Sequence, residues 1–278
     1  MKLRFKDQLL SLDRPLVMGV LNVTPDSFSD GGLWFEEGKA VDHGFEMIEQ
    51  GAAIVDVGGE STRPGATAVG LDEEVRRVMP VVEKLAAAGV VVSIDTRKPE
   101  VASRAIAAGA SIINDTAGEA LDARMDEVAR TSGAAIIVMH SRGTPATMRS
   151  LTEYSDVVGE VVDWLKERAS SLESKGVRAE SIALDPGIGF AKSPEQSLLL
   201  LQRLDEMADV GYPIVIGTSR KSFIGAVLDL PEDRRQEGTA ATVAWAVAKG
   251  AHIVRVHDVA EMARVVRMTQ AIKDAEST

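Results

Sequence analysis

The sequence predicts one (β/α)8 barrel of the TIM type, an α/β fold, preceded by a short amino-terminal β-hairpin. Short apolar runs recur along the chain, and each is followed by a stretch of helix length. Eight such units over about 260 residues agree with the ~250 residues typical of this barrel. Because no linker or low-complexity stretch interrupts the 278 residues, we predict a single domain over 1–278.

The predicted strands are rich in Val and Ile and have few polar interruptions, which is typical of buried parallel strands. They lie at residues 16–22, 53–58, 90–95, 111–115, 134–140, 182–185, 214–218 and 252–257. The predicted helices lie between them, at residues 37–50, 73–88, 100–108, 122–131, 153–174, 195–209, 236–249 and 259–273. Proline after Lys98 and after Ser193 marks two helix starts, and glycines at 89, 109, 176 and 250 mark four helix ends.

Residues 2–14 precede the first run and alternate apolar with polar side chains, so we predict a small hairpin that caps the amino-terminal end of the barrel. An open, doubly wound sheet is the alternative fold. Such a sheet typically carries a glycine-rich dinucleotide turn after its first strand. Here the first strand leads into NVTPD at residues 22–26, which favours the barrel.

Composition excludes several classes of function. The formal net charge of −11 argues against a nucleic-acid partner bound along a broad face, but allows a local basic pocket for a small anion. The absence of cysteine excludes disulfides, thiolate nucleophiles and cysteine-ligated metals. No apolar run is long enough to span a membrane, and residues 1–14 lack the apolar core of a secretory signal. We therefore predict a soluble, cytoplasmic protein with no membrane partner.

Polar side chains gather at the carboxyl ends of the predicted strands, where such a barrel builds its active site. They are Asn22, Asp95, Asn114, Asp115, His140, Asp185, Ser219, Lys221, Arg255 and His257. Residues two apart on a strand share a face, so Arg255 and His257 project together, as do Ser219 and Lys221. Because an unpaired buried charge is costly, we interpret the set as a polar pocket at one mouth of the barrel.

A carboxylate at the end of a strand also frequently caps the next helix. We favour this interpretation for Asp56, Asp115 and Asp258, and a pocket role for Asp95. For His140, a structural role in the core and a functional role in the pocket both stay open. Met139 fits the core as well as a ligand wall, and strand parity does not decide between them.

The residue types in this pocket indicate the chemistry that it performs. Carboxylates and a carboxamide accept hydrogen bonds from the guanidine-like edge of a nitrogen heterocycle. Arginine, histidine and asparagine side chains suit the binding of a phosphate-type anion. The chain provides such side chains at Arg63, Arg255, His257 and Asn22. Four histidines without a close pair argue against a permanent zinc or iron site, whereas Mg²⁺ held mainly by pyrophosphate oxygens is compatible. These types predict an enzyme that joins a heterocycle to a second molecule by displacing phosphate or pyrophosphate.

Seven motifs, in order along the chain, resemble those of the dihydropteroate synthase family of pterin-binding TIM barrels. They are MGVLNVTPDSFSDGG (18–32), DVGGESTRPG (56–65), SIDT (93–96), IND (113–115), LDPGIGF (184–190), GTSRKS (217–222) and RVHDV (255–259). The resemblance extends from Leu16 to about Glu261. It implies condensation of 6-hydroxymethyl-7,8-dihydropterin pyrophosphate with 4-aminobenzoate, which gives 7,8-dihydropteroate and pyrophosphate.

The resemblance also implies a role for individual residues. The pterin would contact Asp95, Asn114, Met139, Asp185, Phe190, Gly217 and Lys221. The pyrophosphate would contact Asn22, Arg63, Arg255 and His257, with Mg²⁺ on Asn22. The 4-aminobenzoate would contact Phe28, Thr62, Arg63, Pro64 and Ser219, beside Lys221. Catalytic roles would fall to Asp30, Lys221, Arg255 and His257, and the family suggests a homodimer.

One departure from the family pattern follows Lys192, where Glu195, Gln196 and Ser197 replace a common His-Asn pair. Two other functions are considered. A methyltetrahydrofolate–corrinoid methyltransferase shares the pterin pocket but has no pyrophosphate to bind, so Arg255 and His257 favour the synthase. A non-catalytic pterin-binding paralogue is the second alternative, and the complete first and second loop motifs argue against it.

Overall fold

Strands and helices alternate along the chain in a computed structural model that describes residues 1–24, 33–61, 66 and 68–275, without the side chains of residues 33–37. The strands are β1 (Lys2–Phe5), β2 (Gln8–Ser11), β3 (Leu16–Asn22), β4 (Ile54–Gly58), β5 (Val92–Asp95), β6 (Ile112–Asp115), β7 (Ala135–Met139), β8 (Ile182–Asp185), β9 (Val215–Gly217) and β10 (Ile253–Val256). The helices are α1 (Leu33–Glu49), α2 (Leu71–Ala87), α3 (Pro99–Ala107), α4 (Arg124–Ser132), α5 (Val157–Ser174), α6 (Pro194–Gln202), α7 (Leu204–Ala208), α8 (Ser222–Leu228), α9 (Gln236–Ala248) and α10 (Val259–Asp274).

The eight strands β3 to β10 form the predicted parallel barrel. Their order in the sheet is β8-β7-β6-β5-β4-β3-β10-β9, and every pairing within it is parallel. A parallel bridge between Leu184 and Ile214 joins the two edge strands. The sheet therefore closes, and all strand carboxyl ends meet at one mouth, which confirms the predicted fold.

The interior of the barrel changes from apolar to polar along the strands. Near the amino-terminal end, the inward side chains Met18, Ile54, Ile112, Ile137, Ala183, Val215 and Ile253 form one buried cluster. Side chains two residues further along face the same way because strand side chains alternate. On β4 and β10, for example, Ile54 is followed inside by Asp56, and Ile253 by Arg255. The polar pocket thus lies directly above a buried apolar layer in the barrel interior.

The amino-terminal hairpin closes the apolar end of the barrel, as predicted. β1 pairs with β2 in antiparallel register, and Leu3, Phe5 and Leu12 pack into the cluster that contains the inward side chains of the strands. The backbone N–H of Lys6 in the turn donates to the carbonyl of Gly133 before β7. The hairpin therefore seals the core opposite the pocket.

Helices depart from the predicted ones by more than two residues in four places. Helix α1 begins at Leu33, four residues before the predicted start at 37. The predicted helix 195–209 is two helices, since Arg203 (φ −102°, ψ 27°) departs from helical geometry between them. Helix α5 begins at Val157, after Asp156 caps it, rather than at 153. Helix α8 was not predicted, because it is short and contains Gly225. A Cβ at Gly225 would lie 2.3 Å from the guanidinium of Arg235, so a larger side chain there would displace that guanidinium.

Of the helices in the described ranges, none combines the length and the apolar character needed to cross a membrane.

Candidate active site

Arg255 lies at the centre of the polar mouth and binds two carboxylates from neighbouring strands. Its Nε donates to Asp56 Oδ2 at 2.6 Å, and its Nη2 donates to Asp95 Oδ2 at 2.7 Å. Burial lowers the pKa of this guanidinium, but the charges of Asp56 and Asp95 outweigh burial and raise the pKa above its usual value. Arg255 is therefore a permanent cation beneath the mouth, fixed in orientation by two anions.

Asp56 also binds Asn114, one of the residues predicted to contact the pterin. Asn114 Nδ2 donates to Asp56 Oδ2 at 3.0 Å, and Asp56 is completely buried. The interpretation of Asp56 as a helix cap was wrong, because its side chain points into the barrel. Its position two residues after inward-facing Ile54 was the sequence signal for this direction.

Neither of the other two predicted capping carboxylates bonds the helix that follows it. Asp115 accepts a hydrogen bond from the backbone N–H of Ala117 at 3.1 Å, which is a turn contact, and no side chain caps α4. Asp258 directly precedes α10, but its carboxylate pairs with Arg220 and accepts no capping hydrogen bond from the helix. Its partner comes from the loop after β9.

Asp185 ends β8 with its side chain buried at the mouth. Its Oδ1 accepts a hydrogen bond from the backbone N–H of Gly187 at 2.7 Å. Burial raises the pKa of Asp185, and the nearby positive charge of Lys221 opposes that shift. Met139 is the register partner of Asp185 on β7, and its Cγ lies 3.3 Å from an ideal Cβ built on Gly187. Met139 therefore lines the same corner of the mouth as Asp185.

Lys221 enters the mouth because the chain turns sharply before it. Arg220 has a left-handed backbone (φ 59°), and its carbonyl accepts from Arg235 Nη1 at 2.9 Å. Lys221 Nζ donates to the carbonyl of Ile188 at 2.5 Å and lies 4.4 Å from the ring centroid of Phe190. Burial lowers the pKa of Lys221 to about 8, although the charge of Asp185 acts in the opposite direction.

Gly217 leaves room beside these groups. An ideal Cβ at this position would lie 3.8 Å from both Lys221 Nζ and Arg255 Cβ. A larger side chain would therefore fill the space between the two cations. This agrees with the prediction that Gly217 lines the ligand slot without contributing a functional group.

His257 and Ser219 form a hydrogen-bonded pair on the wall of the mouth. The backbone N–H of His257 donates to Ser219 Oγ at 3.1 Å, and His257 Nδ1 lies 3.0 Å from the same oxygen. When the hydroxyl donates to Nδ1, the imidazole carries its proton on Nε2. This arrangement offers an N–H donor to an anion in the mouth.

The mouth opens as a cleft of about 290 Å³. Its walls include the predicted residues Asn22, Phe190, Ser219, Lys221, Arg255 and His257. Asp95 and Asn114 adjoin it through Arg255 and Asp56, respectively. The structure therefore brings together the described residues predicted for the pterin and for the anion. Phe28, Asp30, Thr62, Arg63 and Pro64 lie outside the described residues, and their roles stay predictions.

Asp95 has the most unusual electrostatic surroundings of these groups. Burial, and to a smaller extent the charges of Asp56 and Glu74, raise its pKa to about 7, against the opposing effect of Arg255 and a 3.1 Å hydrogen bond from Thr116. A carboxyl group that titrates near neutrality accepts a charge-assisted hydrogen bond from a ligand N–H above this pH and only a weaker, neutral one below it.

Comparisons with known proteins agree with this geometry. Residues 18–257 match the sequence pattern of the pterin-binding enzyme family. The dihydropteroate synthase of Bacillus subtilis is 47% identical over 261 residues, which cover 94% of this chain and 89% of that protein.

Solved structures of relatives show the same architecture. The dihydropteroate synthase of Xanthomonas albilineans with 4-aminobenzoic acid superimposes with a TM-score of 0.91 at 40% identity, covering 98% of each chain. A second structure from that organism, in complex with 7,8-dihydropteroate, gives a TM-score of 0.89 at 37% identity and covers 98% of this chain and 99% of that one.

Proposed function

This chain belongs to the family of pterin-binding enzymes, and from that premise we propose that it is a dihydropteroate synthase. It condenses 6-hydroxymethyl-7,8-dihydropterin pyrophosphate with 4-aminobenzoate to give 7,8-dihydropteroate and pyrophosphate. The observation that carries this proposal is the double role of Arg255, which is anchored to Asp95 and also lines the cleft beside His257. One side chain thus connects a site for N–H donors to a site for anions.

The pterin lies, in this proposal, against the carboxylates at the strand ends. Asp95, Asn114 and Asp185 accept hydrogen bonds from the amino and ring N–H groups of the heterocycle. Lys221 donates to its ring oxygen and nitrogen, while Met139, Phe190 and Gly217 bound the slot. The buried position of Asp185 strengthens such a bond, because competing water is excluded.

The leaving pyrophosphate lies against Arg255, His257 and Asn22 in the cleft. The C–O bond at the pterin methylene breaks first, and its electron pair stays on the pyrophosphate oxygen. The resulting carbocation is delocalised into the pterin ring. Arginine and imidazole N–H donors stabilise the charge that develops on the leaving oxygen, which is the contribution such a dissociative step requires most.

The 4-aminobenzoate lies beside Ser219 and Lys221, with Phe28, Thr62, Arg63 and Pro64 as further predicted contacts. Its amine nitrogen attacks the methylene carbon, forms the C–N bond and then releases a proton. A weakly basic amine suffices for this attack, because the carbocation is a strong electrophile. Arg63 and Asp30 are proposed to act on the leaving group.

A magnesium ion fits this site only as a partner of the substrate. No cluster of three or more histidine, aspartate or glutamate side chains able to hold a metal occurs among the residues that the structure describes. Asn22 offers one carboxamide oxygen at the cleft wall, which suits an ion held mainly by pyrophosphate oxygens and water. When bound there, Mg²⁺ would neutralise part of the charge on the leaving pyrophosphate.

We further propose that two copies of the chain form a homodimer through helices α6, α8 and α9, which pack against one another. These helices carry large apolar side chains that solvent reaches, namely Leu198, Leu199, Val227, Leu228 and Trp245. A second copy would bury this surface with two-fold symmetry. Sedimentation equilibrium tests the proposal, and Val227→Glu, at a side chain 58% exposed, is expected to shift the protein to monomers.

The lack of cysteine supports a cytoplasmic location, which is likewise a proposal.

Release of pyrophosphate tests the proposed function directly. The protein is mixed with the pterin pyrophosphate and 4-aminobenzoate, and stoichiometric formation of pyrophosphate and 7,8-dihydropteroate is expected. Binding of the pterin without condensation would instead identify a non-catalytic paralogue. Methyl transfer from a methylated tetrahydrofolate to a corrinoid would identify the methyltransferase alternative.

A further inference from the structure

A buried lysine lies behind the pterin slot without a carboxylate partner. Lys192 is only 7% exposed, and in the described part of the chain it forms no ion pair with an aspartate or glutamate. Its Nζ instead lies 3.0 Å from His140 Nδ1, 3.0 Å from the carbonyl of Phe190 and 3.3 Å from the carbonyl of His140. Burying an ammonium group is costly, so these contacts require a reason.

Three hydrogen-bond partners surround the amino group of Lys192. The two backbone carbonyls can only accept, so Lys192 donates to both of them. Burial lowers the pKa of Lys192 well below its usual value, although the charge of Asp185 acts in the opposite direction. Burial and the charge of Lys192 lower the pKa of His140 to about 2, which agrees with a neutral ring. The ring is fixed by edge-on contact with Trp164, with centroids 5.2 Å apart.

Lys192 connects the end of β7 to the loop between β8 and α6. The two strands are already joined there, because the backbone N–H of His140 donates to the carbonyl of Asp185 at 2.9 Å. The loop then packs so closely on His140 that a Cβ at Gly187 would lie 1.9 Å from the His140 carbonyl. Lys192, near the other end of the loop, also contacts His140, through Nδ1 and the backbone carbonyl. His140 thus contacts the loop near both of its ends.

The loop between β8 and α6 directs the Phe190 ring toward the pocket and the carbonyl groups of Phe190 and Ala191 toward the rest of the protein. The carbonyl of Phe190 accepts from Lys192, and the carbonyl of Ala191 accepts from the Tyr154 hydroxyl at 3.0 Å. Ala191 has a left-handed backbone (φ 48°), an uncommon conformation for alanine that these contacts hold in place. On the opposite side of the loop, the Phe190 ring contacts Lys221 in the cleft.

We propose that Lys192 is a positioning residue for pterin binding, which acts through the Phe190 carbonyl to fix the Phe190 ring at the wall of the slot. The proposal rests on the proposed function for the identity of the ligand. Lys192 touches no reacting atom in it. Its amino group, held by His140, sets the position of the wall against which a flat heterocycle packs.

The first experiment compares Lys192→Met with the parent protein. Methionine keeps most of the length and removes the amino group. We expect the dissociation constant of 6-hydroxymethylpterin, measured by calorimetry, and the KM for the pterin pyrophosphate to rise about tenfold, while the KM for 4-aminobenzoate changes less than about threefold. An unchanged pterin affinity, or an equal loss for both substrates, would overturn the proposal.

A matched control separates positioning from stability. Arg168→Met also removes a buried basic side chain, one that pairs with Asp126 between α5 and α4. We expect this control to lower the melting temperature and to leave the pterin dissociation constant unchanged. A pterin affinity that falls in Arg168→Met as much as in Lys192→Met would show that general destabilisation explains the effect, and the proposal would fail.

A double-mutant cycle tests the route through Phe190. In a Phe190→Leu background, Lys192→Met is expected to have little further effect on 6-hydroxymethylpterin binding, whereas additive effects would refute the route. If Lys192→Met does not fold, His140→Leu decides, because it removes one partner of the amino group and must produce the same pterin-selective loss. These binding measurements need no turnover, so failure of the proposed condensation is recognised separately by the absence of pyrophosphate release.

Discussion

Arg255 and Asp56 form an ion pair inside the barrel, with Nε and Oδ2 2.6 Å apart, although 199 positions separate them in the chain. The same oxygen accepts from Asn114, while Oδ1 of Asp56 is buried without a hydrogen-bond partner in the described part of the chain. Asp56 thus orients an anion-binding residue and a heterocycle-binding residue together. Removing one partner of such a buried pair leaves an uncompensated charge.

Asp56→Asn is expected to weaken both functions of the mouth. The neutral amide holds Arg255 less firmly, so we predict that kcat/KM for the pterin pyrophosphate falls at least about tenfold. The negative charge of Asp56 also raises the pKa of Asp95. Its removal should therefore move the acidic limb of the pH profile of kcat/KM to lower pH.

Ser93→Ala is the control for this prediction. Ser93 is the register partner of Asp56 on β5, and its hydroxyl is also buried without a hydrogen-bond partner among the described residues. Because Ser93 carries no charge, its loss should leave the acidic limb in place. An acidic limb that stays in place in Asp56→Asn would show that the charge of Asp56 does not reach Asp95.

The strands and the mouth were predictable because they follow from side-chain alternation. β3 and β8 have the predicted bounds, and Asp95 and Asp185 end buried strands, while Asn114 and Arg255 are the residues before the last on theirs. The cap interpretation of Asp56 is wrong because its carboxylate faces the barrel interior, where it binds Arg255 and Asn114. Parity alone places it on the inward face, two residues after Ile54.

Other features depend on contacts that no local pattern encodes. The amino group of Lys192 has its partners on His140, directly after β7, and on a loop that turns through left-handed Ala191. Helix α8 exists where Gly225 allows Arg235 to pack over it, which only the folded chain shows. At the departure after Lys192, Gln196 completes a capping box with Ser193 and donates to the Thr152 carbonyl, and the second contact follows only from the folded chain.

Asp185→Asn tests whether the mouth recognises a pterin. Asp185 is buried, and a hydrogen bond to an anion loses its charge assistance when the acceptor becomes an amide. We predict that 6-hydroxymethylpterin binds roughly 2–4 kcal/mol more weakly, measured by calorimetry. Asp115→Asn is the matched control, because Asp115 is also a buried carboxylate that ends a strand but bonds Ala117. Equal losses in the two variants would refute the assignment of Asp185.

His257→Ala separates leaving-group binding from pterin recognition. His257 lines the cleft and bonds Ser219, so its loss should remove a donor to the developing pyrophosphate charge. We predict that kcat/KM falls at least about tenfold, whereas the affinity for 6-hydroxymethylpterin stays within about twofold of the parent. Arg255→Ala should lower both quantities, because Arg255 also holds Asp95. A His257→Ala variant that loses pterin affinity as strongly as activity would contradict the assignment.

The pH dependence of kcat/KM reports the charge states of Asp95 and Lys221 in the free enzyme. Asp95, whose pKa burial raises to about 7, must be ionised to accept a charge-assisted hydrogen bond, so activity should fall below pH 7. Lys221, whose pKa burial lowers to about 8, must be protonated to donate to the pterin, so activity should fall above pH 8. Because both requirements must be met, kcat/KM should follow a bell-shaped pH profile with a narrow maximum between pH 7 and pH 8.

Two variants identify the limbs of this profile. Lys221→Arg retains a positive charge at all accessible pH values, because arginine is not deprotonated in proteins. We expect this variant to be slower, since arginine differs from lysine in shape, but to lose the alkaline limb. Asp95→Asn should lose the acidic limb, together with much of the pterin affinity. An alkaline limb that persists unchanged in Lys221→Arg would show that another group controls it, and the role of Lys221 as hydrogen-bond donor to the pterin would be withdrawn.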